Sequence, residues 1–103
     1  MAYENGALDA TLAAAAGNDP ALMAELRTAF AESLGQQVDL LRRSRCDGNW
    51  NMAAMRVKGL AASFHAEGLI GLAEEALDSA PGEPVVIRKL ERFLTDFNHS
   101  RHG

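Results

Sequence analysis

Apolar side chains recur three and four residues apart along most of the chain, the spacing that lines one face of an α-helix. No run alternates apolar and polar over the length of a strand, and β-branched residues are scarce. Proline stands only at Pro20, Pro81 and Pro84, outside the long periodic stretches. The pattern predicts an all-α protein.

A short, alanine-rich first helix is expected from about Leu8 to Ala16, stopped by Gly17 and Asn18, which tolerate left-handed backbone. Asp19 then caps a second helix whose first position is Pro20, where no N–H donor is needed. Its stripe is Leu22, Leu26, Phe30, Leu34, Val38 and Leu41, and it should run to about Arg45, with Arg42, Arg43 and Arg45 at the negative end of the helix dipole. Cys46-Asp47-Gly48-Asn49 reads as a turn. A third helix opens near Trp50 and buries Trp50, Ala53, Ala54, Val57, Leu60, Ala61 and Phe64. A fourth, about Ala66 to Ser79, turns Leu69, Leu72, Ala73, Ala76 and Leu77 inward before Ala80-Pro81-Gly82 breaks it. The fifth begins near Glu83 and Pro84, buries Val86, Leu90, Phe93, Leu94 and Phe97, and frays from Asn98.

Four amphipathic helices with short connections predict an antiparallel four-helix bundle, with the short N-terminal helix as an extra element capping one end. At 103 residues, 48% apolar and 23% charged, the chain suits one domain, 1–103, with 1–6 and 99–103 as flexible ends. A net charge of -4 argues against binding nucleic acid, which requires clustered Lys and Arg. The single Cys46 excludes an internal disulfide, and no Cys/His cluster has the spacing of a metal site, so neither metal nor cofactor is expected. Leu12 to Ala16 is too short for a signal or membrane segment, which gives a cytoplasmic address by default.

The third helix carries the feature that composition does not explain. At ~100° per residue, Met52, Met55, Gly59 and Ala62 fall opposite Trp50, Val57 and Phe64, on the side that should meet water. A solvated face ordinarily carries charged or amide side chains. Gly59 costs the helix about 0.5–1 kcal/mol relative to alanine, a cost that close approach of another body would offset. Adaptable methionines beside it suit a protein-docking patch, and the flanking Arg56 and Lys58 favour an acidic partner. The alternative is that Met52 and Met55 are covered, by the N-terminal helix or by a second copy. Gly35, in the second helix, reads as a site of close helix packing.

Asp47-Gly48-Asn49-Trp50 followed by Ala53-Ala54-Met55-Arg56-Val57-Lys58-Gly59 resembles the central stretch of histidine-phosphotransfer (HPt) domains of bacterial phosphorelays. Those domains show a Gly-Asp-Trp-like turn and then a helix bearing His-x-Leu-Lys-Gly. The Asn-Asp-Pro entry to the second helix and the segment from Ala66 to Ala76 fall where such a bundle would have them, so the resemblance covers about Leu8 to Leu94. It implies that Lys58 matches the basic neighbour of the phosphohistidine, that Gly59 matches the small residue admitting a receiver domain, and that Val57 matches a buried aliphatic position.

The departures from the family pattern bear directly on function. Met55 occupies the histidine position, and a thioether offers no nitrogen to attack an aspartyl phosphate, which excludes phosphotransfer there. Leu60 and Ala61 replace small hydroxyl-bearing residues, and His65 stands where the family usually has glycine. His65 lies ten residues beyond Met55, rotated about 80° from it and ~15 Å along the axis, so it does not face the same docked active site. His99 and His102 belong to the expected tail.

Three readings follow. The first is a degenerate HPt-like module, without a catalytic residue, that docks a response-regulator receiver domain or sensor kinase through Met52, Met55, Arg56, Lys58, Gly59 and Ala62. The second is active phosphotransfer through His65. The third is a helical dimerisation module in which Met52 and Met55 meet another copy. Glu74, Glu75 and Asp78 sit at helical spacing, but such charge runs are usually a solvated face rather than a hydrolytic site.

Overall fold

The computed structural model describes residues 6–99. They form five helices: α1 (Gly6–Ala16), α2 (Pro20–Arg43), α3 (Asp47–Ser63), α4 (Glu67–Leu77) and α5 (Pro84–His99), with no strand among the described residues. The expected mobile ends and His102 lie outside the described residues apart from Gly6 and His99. Those two begin α1 and end α5, so the fifth helix continues through Asn98 instead of fraying there.

Local chemistry accounts for most of the boundaries. The Asp19 carboxylate accepts hydrogen bonds from the Ala21 and Leu22 amides, while Gly17 (φ 61°) and Asn18 (φ 68°) reverse the chain after α1. The second helix ends at Arg43 rather than Arg45; the Ser44 N–H bonds to Leu41 O and its hydroxyl to Leu40 O. The tetrad 46–49 is not a turn but the start of α3. Cys46 is the N-cap, Asp47 lies at the positive end of the helix dipole, and the Trp50 N–H bonds to Cys46 O at 3.1 Å. The fourth helix is shorter at both ends than the sequence predicts.

At the end of α3, the Ala66 N–H reaches Ala61 O (2.8 Å) and the His65 N–H reaches Ala62 O (3.2 Å), with His65 at φ 58° between them. This is the Schellman arrangement, which glycine fills without strain and His65 here fills with a side chain.

The second helix packs against α3 and α5, α4 packs against the same two, and α1 lies on α2. The shared interior holds Phe30, Leu34, Val38, Leu41, Trp50, Val57, Leu69, Val86, Leu90 and Phe97, with Leu8 and Leu12 closing it from α1. Leu22, expected in the core stripe, is instead 38% exposed at the first turn of α2. Leu26, Leu60, Phe64, Leu72, Leu77, Phe93 and Leu94 are only partly buried. A β-carbon at Gly35 would stand 3.6 Å from Leu94 Cδ2, in ordinary contact, which agrees with helix packing there.

Two polar side chains tie the helices together from inside. The Trp50 indole N–H donates to Ala76 O at 2.7 Å, joining α3 to α4. The buried Arg27 guanidinium pairs with Asp9 of α1 (3.1 Å), donates to Phe97 O of α5 (3.0 Å) and lies 4.2 Å from the centre of the Phe97 ring. Phe97 O belongs to the last turn of α5, so the Arg27 charge stands at the negative end of that helix's dipole.

Candidate functional site

Burial of Trp50, Ala53, Ala54, Val57 and Ala61 fixes the rotation of α3 about its axis. The opposite side must then face out. Met52 is 47% exposed, Met55 54% exposed, and Gly59 and Ala62 are also exposed. No element of the described chain covers the two methionines, which removes the N-terminal helix as their partner. A β-carbon at Gly59 would meet nothing within 4 Å, so no internal contact requires glycine there.

Charge is arranged on both edges of this face. Arg56 lies toward α2 and makes no ion pair among the described residues. Lys58 lies toward α4, its ammonium 3.5 Å from Glu74 Oε2. The six residues predicted for partner binding therefore do form one continuous surface, apolar along the middle and cationic at its margins.

The surface extends further than the sequence reveals. Between the end of α2 and the first half of α3 lies an open groove of about 310 Å³, lined by Leu40, Arg43 and Ser44 on one side and by Asn49, Met52, Ala53 and Arg56 on the other. Leu40 is itself an exposed leucine. Arg43 pairs with Asp39 at 3.0 Å but still borders the groove. In the sequence, Leu40 is visible as a leucine off the core stripe. That it stands across from Met52 depends on how α2 and α3 pack.

Compared with family models, curated proteins and solved structures, the chain matches none of them.

Other groups lie elsewhere. His65 is exposed in the turn between α3 and α4, and His99 is the last residue of α5. Among the described residues, no three His, Cys, Asp or Glu side chains gather as a metal site would require, and no helix is long and apolar enough to cross a membrane. Glu75, from the acidic run of α4, pairs with Lys89 of α5 at 3.1 Å, an ordinary interhelical contact.

Proposed function

We propose that this chain is an HPt-like module of two-component phosphorelay signalling that cannot carry phosphate at the usual position. In this reading α2 to α5 are an antiparallel four-helix bundle with α1 as the extra helix, and the protein works in the cytoplasm. It docks a response-regulator receiver domain, or the corresponding surface of a sensor kinase, through the Met52, Met55 and Gly59 face of α3. Docking without transfer would sequester, scaffold or tune that partner.

The observation that carries the proposal is Met55 itself: an exposed thioether at the position of the family's phosphohistidine, on an apolar face flanked by Arg56 and Lys58. An apolar centre with cationic margins suits a partner whose contact surface is apolar and rimmed by carboxylates, as the acidic site of a receiver would be. The open space at Gly59 supports the same reading, since it leaves room for a second backbone to approach.

NMR titration of the labelled domain with candidate receiver domains tests it. Shifts confined to Met52, Met55, Arg56, Lys58 and Gly59 are expected for the true partner. The reading fails if no receiver moves them, or if light scattering shows a homodimer that Met55→Glu dissociates. Acid-labile phosphate on His65 after incubation with a phosphorylated receiver would replace it with active phosphotransfer.

A further inference from the structure

Two of the exposed large apolar side chains among the described residues are methionines, and they are neighbours. Met52 and Met55 stand one turn apart on one helix face, both open to water, whereas Met23 is half-buried against the core. Thioether sulfur is oxidised according to its exposure, and the product changes a flexible apolar side chain into a polar one.

We propose that Met52 and Met55 form a paired, reversible oxidation site for peroxide that converts the α3 face from apolar to polar. A sulfur lone pair attacks one peroxide oxygen, the O–O bond breaks, and that oxygen stays on sulfur as the sulfoxide. The other oxygen leaves as water with the peroxide's protons, so sulfur loses two electrons and peroxide gains them. Methionine sulfoxide reductase returns the oxygen to water at the expense of a dithiol, which becomes a disulfide.

The fold should tolerate this change. The core contacts of α3 run through Trp50, Val57 and Ala61 on its other side, so two oxygens added at Met52 and Met55 stay in solvent. The surface should not. Met52 and Arg56 are i, i+4 neighbours and line the same groove, so a sulfoxide oxygen at Met52 offers the Arg56 guanidinium an acceptor. Oxidation would then withdraw apolar area and engage a cation in one step. This consequence rests on the docking reading above; the modification site does not.

The test treats the folded protein, in a Cys46→Ser background that removes the exposed thiol from the same tryptic peptide, with dilute hydrogen peroxide. Peptide mass spectrometry should show oxygen on Met52 and Met55 at least ~5-fold faster than on Met23. Circular dichroism should be unchanged, and the two epimer-specific sulfoxide reductases added together should restore the original mass. Equal oxidation of Met23, loss of helicity on oxidation, or resistance to the reductases would overturn the proposal. In a second arm, a receiver that binds the reduced protein should bind the oxidised one at least ~10-fold more weakly, while Met52→Leu/Met55→Leu binds it equally before and after peroxide. Equal binding to reduced and oxidised wild-type protein overturns the switch and leaves docking intact. If no receiver binds the reduced protein, docking fails and the oxygen map decides the modification site.

Discussion

Lys58 Nζ stands 3.5 Å from Glu74 Oε2, so the cation on one margin of the methionine face is tied to α4 instead of waiting free for an anion. Both side chains are substantially exposed, and such a pair is worth no more than about 1 kcal/mol. Glu74→Gln should therefore leave the urea midpoint nearly unchanged while releasing Lys58 to an acidic partner. Affinity for that partner should rise roughly 2- to 5-fold at low salt and converge with wild type at high salt. Unchanged affinity at low salt would place Lys58 outside the contact.

Arg27 is the polar fastening between α1, α2 and α5. Arg27→Met keeps much of the apolar stem but removes the donor to Phe97 O and the charge facing Asp9. Denaturant unfolding should show a loss of about 2–3 kcal/mol. Arg27→Lys should recover only part of it, because one ammonium cannot reproduce the fork that meets Asp9 and the Phe97 carbonyl together.

His65 occupies a left-handed position at φ 58° within an otherwise well-formed helix end. His65→Gly relieves the β-carbon clash but enlarges the freedom of the unfolded chain, so a net gain of about 0.5–1 kcal/mol is expected in the same measurement. Destabilisation would mean that the imidazole makes a contact worth more than the strain.

These boundaries and contacts were not equally legible in the sequence. Asp19-Pro20 and Gly17-Asn18 act on their own neighbouring amides and carbonyls, so their meaning is local and the sequence discloses it. Asp47-Gly48-Asn49 misled because these residues favour turns as readily as a first helical turn. The buried Trp50 and the bond from its N–H to Cys46 O belong to the helical alternative. Arg27 could be noticed as a charge beside the stripe of Phe30, Leu34 and Val38, but its partners are 18 and 70 residues away. The methionine face was readable from rotation about one helix. The groove beside it was not, because Leu40 meets Met52 only through the packing of α2 on α3.

A histidine at position 55 tests the proposed likeness to a phosphotransfer surface. The Met55 side chain is exposed, and Lys58 and Gly59 follow at the spacing that the family resemblance supplies. Met55→His should accept a phosphoryl group from a phosphorylated partner receiver, detected as acid-labile, base-stable label that wild type lacks. Absence of label on a folded variant that still binds the receiver would show that the surface docks in a geometry unsuited to transfer.

The central claim is that the exposed face of α3 binds a partner. Receiver affinity measured side by side for wild type and Met55→Glu addresses it most directly, since Met55 is more than half exposed and lies outside the buried core, so the substitution should alter stability by less than about 0.5 kcal/mol. A charge placed in the middle of the patch, facing an acidic partner, should weaken binding by at least ~10-fold with the circular dichroism spectrum unchanged. Equal affinity of the two proteins for a receiver that does bind would contradict the claim.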